Sequence, residues 1–153
     1  KKIDFQVIHI VGSKKYVEHY EQFYKKRGIL ACVRAFERNM SQAWVAADFS
    51  ISRSGAITIA EQIKFGTPGI LIPYPYGSED HQEMNAEFLT KQVGAGIKLF
   101  EKHLSEASLL NAIEDIIDHS QEKLIEMKQN LNRYKMGMTT RSLSSVIFQE
   151  FLE

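Results

Sequence analysis

Five short apolar runs, separated by segments with helical periodicity, most constrain how this chain can fold. The first run, residues 5–12, is almost continuously apolar and ends in glycine, a pattern typical of a strand buried on both faces of a parallel sheet. Further strands are predicted at 29–36, 48–52, 69–73 and 94–100. Because these strands alternate with helical segments, we predict an α/β fold with a Rossmann-like, doubly wound parallel sheet and terminal helices.

This topology also predicts where a ligand would bind. Right-handed crossovers bring the carboxyl ends of parallel strands to one edge, and ligands of open α/β sheets sit beyond those ends. The segments that would meet at this edge are 12–13, 36–37, 52–61 and 73–85. They also carry glycine and polar residues that a hydrophobic core does not explain.

Composition narrows the class of protein. A length of 153 residues fits one domain, predicted to span 1–153. Lys plus Arg and Asp plus Glu both total 19, so no basic excess points to nucleic acid as a partner. No apolar run is long enough to span a membrane. The chain begins with Lys1 rather than Met, so we expect it to be a piece of a longer protein.

The potential metal ligands are sparse. The one cysteine, Cys32, lies in an apolar run and is predicted to be buried filler rather than a nucleophile. The five histidines share no ligand spacing, so we expect no metal site and no cofactor.

The stretch 50–73 reads as a strand, a tight glycine turn, a helix and a second strand. Small residues at Ser54, Gly55 and Ala56 would let a ligand approach the helix N-terminus, where free N–H groups and the helix dipole favour an anion such as phosphate. Thr58 and Glu61 share one helix face, and Glu61 could accept hydrogen bonds from a ribose diol. An ordinary βαβ crossover fits the same shape, and both interpretations stay open at this point.

Two further segments could complete such a site. Phe36 and its neighbouring backbone could face a flat base. Polar side chains in the helix that begins near Asp80 (His81, Gln82 and Asn85) could bind hydroxyl groups, although they could equally be surface polar residues. The apolar residues predicted to form the buried stripe of that helix are Met84, Phe88, Leu89 and Val93. Together these groups describe a nucleotide joined to a sugar.

Three blocks in fixed order carry a resemblance to a known family. They are the stretches 52–61 (SRSGAITIAE), 66–75 (GTPGILIPYP) and 79–86 (EDHQEMNA). In these blocks the chain resembles the C-terminal half of the MurG family, the bacterial UDP-N-acetylglucosamine:lipid I N-acetylglucosaminyltransferases of peptidoglycan synthesis. The resemblance covers residues 5–99. It implies one half of a GT-B glycosyltransferase, an inverting hexosyltransferase that needs no metal and binds UDP-N-acetylglucosamine in its C-terminal domain.

The resemblance also implies roles for individual positions. Those at the diphosphate would be Ser54, Gly55, Ala56, Ile57 and Thr58, with Arg53 preceding the turn. Glu61 would bind the ribose hydroxyls. The uracil would be framed by the stretch 36–40, with Phe36, Glu37 and Met40. The N-acetylglucosamine hydroxyls would contact His81, Gln82 and Asn85. Gly12 lies in the first glycine loop, which here is poorer in Gly and Thr than is usual in the family.

No catalytic residue is assigned to this chain. The resemblance places the general base, the lipid I site and the membrane contact in an N-terminal domain, so the full-length protein would be cytoplasmic and peripheral at the inner face of the membrane. Two alternatives stay open: the soluble donor-binding subunit of a dolichol-linked N-acetylglucosaminyltransferase, and a non-catalytic nucleotide-sugar-binding module. The first usually has a His-Ala-Gly turn where this chain has Arg53-Ser54-Gly55.

Overall fold

The computed structural model describes residues 5–75, 81–117 and 120–137. Along the chain these residues fall into two compact units, Lys1–Ala47 and Asp48–Glu153. The single domain predicted for residues 1–153 stays a prediction. The last of the predicted terminal helices, whose apolar residues fall at 146–152, lies outside the described residues, and so does the predicted helix start near Asp80.

The first unit is a two-stranded parallel sheet with two helices. Its elements are β1 Gln6–Ile10, α1 Val17–Lys26, β2 Leu30–Arg34 and α2 Met40–Ala46, with a 3-10 turn at Lys14–Tyr16. The aromatic stripe of α1 packs on β1, since the Tyr24 hydroxyl lies 3.2 Å from Nδ1 of His9 and the Tyr20 ring contacts the same imidazole edge-on. Partial burial there lowers the pKa of His9.

Two predictions for this unit are wrong. Ile8 is 44% exposed, so β1 is not buried on both faces. Cys32 is exposed although its neighbour Val33 is buried. The reason is the same in both strands: successive side chains of a strand point to opposite faces, and α1 packs on only one of them.

The described residues of the second unit form a three-stranded parallel sheet with four helices. Its elements are β3 Ser50–Ser52, α3 Ala56–Phe65, β4 Gly69–Leu71, α4 His81–Glu87, β5 Gly96–Lys98, α5 Glu106–Ile116 and α6 Glu122–Gly137. A π-type turn at Phe88–Gln92 follows α4, and a 3-10 turn at Glu101–His103 follows β5. The strand order is β3-β4-β5, with Gly69 of β4 in register with Ser50 and Gly96.

The core of this unit lies between the sheet and its helices. It includes Ile59 of α3, Ile70 and Leu71 of β4, Ile116 of α5 and Leu131 of α6. Burying such side chains stabilises the fold by about 1.5–3 kcal/mol each. The apolar faces of the helices therefore pack into this core. The carboxyl ends of the strands continue into turns.

Parallel strands with flanking helices confirm the predicted α/β class. The five predicted strands are divided between two sheets among the described residues, β1-β2 and β3-β4-β5, rather than joined in one ladder. Hydrophobic patterning specifies which face of a strand is buried, and it does not specify which strands pair. In the described part of the chain, no helix combines the length and the hydrophobicity needed to cross a membrane.

Candidate functional site

The turn between β3 and α3 presents an open helix N-terminus. Gly55 is the N-cap residue, in extended conformation and with no side chain to cap the helix. The first helical hydrogen bond runs from the Ile59 N–H to the Gly55 carbonyl at 3.0 Å. The N–H groups of residues 56–58 therefore have no acceptor within the helix. No acidic residue lies in the first turn of α3. The turn therefore offers N–H donors and the positive end of the helix dipole to an anion.

Small size is what keeps this turn open. A Cβ added to Gly55 would meet only the Thr58 hydroxyl oxygen, at 3.8 Å. The Thr58 hydroxyl thus lies beside the turn, one helical turn from the cap. Ala56 and Ile57 are both exposed, Ile57 by 78%. The positions from Gly55 to Thr58 thus lie at or beside the open helix start, and their contact with a diphosphate stays a prediction.

Ser54 differs from the rest of the turn because it is completely buried. Its hydroxyl donates to the main-chain carbonyl of Gln82 at 2.7 Å. Its own carbonyl accepts from Nδ2 of Asn85 at 3.0 Å. Two of the residues predicted to face a sugar are therefore joined directly to the predicted phosphate turn.

The start of α4 is also tied to the end of β4. Oε1 of Gln82 accepts from the Tyr74 N–H at 3.0 Å. Gln82 and Asn85 are half-buried, whereas His81, at the first described position of α4, is exposed. The structure thus brings the 52–61 and 73–85 segments together as predicted, within one unit.

Arg53 holds the same region from its other side. Its Nη1 donates to the carbonyls of Ile72 and Pro73 at 3.2 and 3.3 Å and pairs with Oε2 of Glu101 at 2.5 Å. Its guanidinium lies 5.4 Å from the centre of the Tyr74 ring. The contacts with Ile72, Pro73 and Tyr74 hold the chain where it leaves β4, and the pair with Glu101 ties Arg53 to the turn after β5. The predicted ligand role of Arg53 stays a prediction.

Glu61 lies on α3 about one and a half turns from the cap and is half-buried. The next residue, Gln62, is completely buried and donates from Nε2 to the Ser50 hydroxyl at 2.8 Å. This buried bond fixes the rotation of α3 on the sheet. Thr58 and Glu61 share one face of the helix because they are three residues apart, as predicted.

The other predicted site residues belong to the first unit. Gly12 follows β1 in the left-handed conformation, with φ of 74°, and is exposed. Phe36 is 74% exposed after β2. Glu37 binds Arg34 and accepts from the Asn39 N–H at 2.8 Å, and this backbone bond is the main cause of its lowered pKa. Met40 is the first residue of α2 and half-buried. Their roles toward a base stay predictions.

A lysine that the sequence reasoning missed orients α4. Lys98 of β5, with a side chain only 13% exposed, binds Glu83 at 3.1 Å and Glu87 at 2.9 Å. Partial burial opposes its charge, but the bonds to Glu87 and Glu83 outweigh that effect and raise the pKa of Lys98. The sequence did contain a signal for this cluster. Lys98 is the lysine of a short predicted strand, and Glu83 and Glu87 lie four residues apart on the preceding helix.

The same cluster makes the free energy of unfolding depend on pH in the acid range. Bonds to Lys91 and then Lys98 lower the pKa of Glu87 to about 2, from its usual 4.5. A lowered pKa contributes stability above the unfolded value, and that stability is lost as pH falls between 4.5 and about 2. We expect Glu87→Gln to have a lower free energy of unfolding than the wild type at neutral pH, as measured by urea denaturation. The difference should shrink toward pH ~3.

Glu114→Gln, on an exposed position of α5, is the matched control for that experiment. A Glu87→Gln deficit that stayed constant across the acid range would contradict the role of the Lys98 cluster.

Among the described residues, no group of three or more His, Cys, Asp or Glu side chains could hold a metal ion.

Comparison with known proteins decides the family. The sequence matches the glycosyltransferase family 28 C-terminal domain over residues 1–140. The chain belongs to this family. The match covers both the β3–α3 turn and the start of α4, so the two joined parts of the candidate site are family 28 elements.

The family 28 domain has named relatives among bacterial transferases. It is 45% identical over 147 residues to the UDP-N-acetylglucosamine--N-acetylmuramyl-(pentapeptide) pyrophosphoryl-undecaprenol N-acetylglucosamine transferase of Protochlamydia amoebophila, covering 96% of this chain and 39% of that protein. The Chlamydia pneumoniae protein of the same name is 36% identical over 142 residues, covering 92% of this chain and 39% of that protein. The chain therefore spans about two fifths of the length of these relatives.

A solved structure agrees on the fold. The family 28 domain superposes on MurG of Acinetobacter baumannii with a TM-score of 0.76 and 24% identity, covering 88% of this chain and 38% of that one. At this identity the likeness concerns the fold alone. It supports the Rossmann-like architecture predicted from the alternation of strands and helices.

Proposed function

We propose that this chain is the donor-binding domain of an inverting glycosyltransferase. The enzyme moves N-acetylglucosamine from UDP-N-acetylglucosamine to lipid I, forming lipid II in peptidoglycan synthesis. The observation that carries the proposal is the open N-terminus of α3, joined by Ser54 to the polar start of α4. The transferase names of relatives 36% and 45% identical support the choice of donor and acceptor.

The turn suits the charge that develops during transfer. The acceptor hydroxyl oxygen bonds to the anomeric carbon, the bond from that carbon to the β-phosphate oxygen breaks, and UDP leaves with the electron pair. Preorganised N–H donors stabilise such a charge without reorganisation. The amides from Ala56 to Thr58 supply these donors. Because no acidic residue lies in the first turn of α3, no carboxylate there would repel the diphosphate.

Glu61 is the proposed ribose ligand. A carboxylate with two acceptor oxygens can receive hydrogen bonds from both hydroxyls of a vicinal diol. Its place on α3, on the Thr58 face, sets it about one turn from the proposed diphosphate. Roles toward the uracil are proposed for Phe36, Glu37 and Met40, and a donor contact for Gly12, on the family resemblance alone.

The remaining chemistry is assigned to a second domain. Transfer requires a general base to accept the proton of the acceptor hydroxyl. We propose that this base, the lipid I site and the contact with the inner face of the cytoplasmic membrane lie outside this chain. The domain alone would bind its donor without turning it over, and no resident metal or cofactor is proposed.

Replacing Glu61 tests the donor site. Glu61→Ala is expected to weaken UDP binding by about 1–3 kcal/mol because charged hydrogen bonds to the ribose are lost. Titration calorimetry with UDP measures the change. Glu126→Ala, at an exposed position of α6, is the matched control and should leave the affinity unchanged. An unaltered affinity in Glu61→Ala would remove this residue from the ribose role.

Turnover separates an enzyme domain from a binding module. The domain mixed with the separately produced N-terminal domain of the Protochlamydia amoebophila relative should transfer labelled N-acetylglucosamine to lipid I. If the chain binds the donor and the N-terminal domain binds lipid I, but neither the mixture nor a covalent fusion of the two transfers N-acetylglucosamine, the chain would instead be a non-catalytic module.

A further inference from the structure

Ser54 lies in the turn proposed to hold a diphosphate, yet its hydroxyl is directed into the protein. The residue is completely buried, and its Oγ donates to the Gln82 carbonyl at 2.7 Å. A serine hydroxyl has one proton to donate, and this one is already given to a main-chain acceptor. The hydroxyl is therefore used for joining two segments of the domain rather than for an external ligand.

A second bond fixes the same junction and the orientation of the Asn85 amide. The Ser54 carbonyl can only accept, so the Asn85 atom that lies 3.0 Å from it is the donor Nδ2. The Tyr74 N–H can only donate, so the Gln82 atom 3.0 Å from it is the acceptor Oε1. These bonds leave Nε2 of Gln82 and Oδ1 of Asn85 as the atoms not used in them.

Arg53 and Ser54, adjacent in sequence, thus hold both ends of the connection between β4 and α4. Arg53 binds the carbonyls of Ile72 and Pro73 at the end of β4, and Ser54 binds Gln82 and Asn85 in the first turns of α4. The β3–α3 turn is therefore bonded directly to α4, through the buried Ser54 and the half-buried Gln82 and Asn85.

We propose that Ser54 is a positioning residue that sets the preference for a sugar-bearing nucleotide over the bare nucleotide. Its hydroxyl anchors the first turn of α4 to the phosphate turn, so the amides of Gln82 and Asn85 are already oriented when the diphosphate binds. This inference rests on the proposed function, because it concerns the same donor site. It assigns the Ser54 hydroxyl to domain geometry and the phosphate contacts to backbone amides.

The anchoring is tested first without any ligand. In Ser54→Ala the amides of residues 85–87 should exchange with deuterium about 3- to 10-fold faster, since one hydrogen bond at the helix start is lost. Ser54→Cys, with similar volume and a weak donor, should show a smaller increase and guards against loss of folding. Ser108→Ala, which removes the Ser108 half of the capping box at the start of α5, is the control. Unchanged exchange in α4 would overturn the proposal.

The specificity is tested by calorimetry with UDP and UDP-N-acetylglucosamine on the wild type and these variants. Ser54→Ala should lower the affinity for UDP-N-acetylglucosamine by about 5-fold and that for UDP by less than about 2-fold, and Ser108→Ala should leave the ratio of the two unchanged. Equal weakening of both ligands would make the hydroxyl a phosphate ligand and overturn the proposal, as would no change in either. Wild-type protein that binds neither ligand would instead refute the proposed function, while the exchange measurement still decides whether Ser54 anchors α4.

Discussion

Ala56→Asp is expected to reduce UDP affinity by about 100-fold or more while leaving the domain folded. The new carboxylate would stand in the first turn of α3, where no acidic residue occurs now. Two unit charges about 4 Å apart repel by about 4 kcal/mol at an effective dielectric of ~20. The same carboxylate would also satisfy the free amides that the diphosphate would otherwise use.

The same substitution is expected to preserve stability, which makes it informative. An acid near a helix N-terminus stabilises the helix by about 0.3–1 kcal/mol through the dipole. Ala56 is exposed, so the longer side chain requires no repacking. The thermal midpoint of Ala56→Asp should therefore match or exceed that of the wild type, and loss of binding could not be attributed to unfolding.

Ala107→Asp is the matched control for the charge. Ala107 is exposed in the first turn of α5, in the same unit, and carries no proposed ligand role. It should bind UDP as the wild type does. Wild-type affinity in Ala56→Asp, measured by calorimetry at the same ionic strength, would place the diphosphate elsewhere.

Leu131→Ala is expected to lower the free energy of unfolding by about 3–5 kcal/mol. Leu131 is completely buried in the cluster that joins α6 to α3, β4 and α5. Removing its branched end leaves a cavity whose lining can relax only partly. Urea unfolding followed by circular dichroism measures the difference.

Ile125→Ala on the same helix is the control for helix propensity. Ile125 is 49% exposed, so its loss should cost less than about 1 kcal/mol. Equal effects of the two substitutions would mean that α6 contributes little to the core. That result would contradict the packing described for the second unit.

The spacing of apolar residues predicted much of this packing. The stripe Leu124, Met127 and Leu131 is buried as its helical period indicates. The glycine turn predicted the start of α3, which begins at Ala56. Both features depend on neighbours within one or two helical turns, and such local relations are recorded directly in the order of residues.

Periodicity was less informative where a helix changes register or carries a wide stripe. Met84 was predicted to be buried with Leu89 and Val93 and is 64% exposed. The π-type turn at Phe88–Gln92 breaks the helical period that linked these residues, and within α4 Met84 lies about 200° of rotation from the buried Ala86. In α5, apolar spacing predicts a buried stripe that includes Leu110 with Leu109, Ile113, Ile116 and Ile117, yet Leu110 is 51% exposed. It is rotated away from its neighbours Ala112 and Ile116, which belong to the buried core.

Contacts between distant residues could not be read from the sequence. The bond from Ser54 to Gln82 spans 28 positions, and the ion pair of Arg53 with Glu101 spans 48. Nothing in the spacing of these residues distinguishes an inward hydroxyl from one that faces a ligand. The segments that form the candidate site could therefore be predicted, whereas the division of labour among their side chains required the structure.

Donor binding by the unmodified chain is the central claim, and titration calorimetry with UDP-N-acetylglucosamine tests it most directly. The account predicts saturable binding with one ligand per chain, and competition by UDP. It also predicts that added divalent metal is not required, because backbone amides at the start of α3 would offset the charge of the diphosphate. An absence of binding at millimolar UDP-N-acetylglucosamine, with the protein shown to be folded in the same buffer, would contradict it.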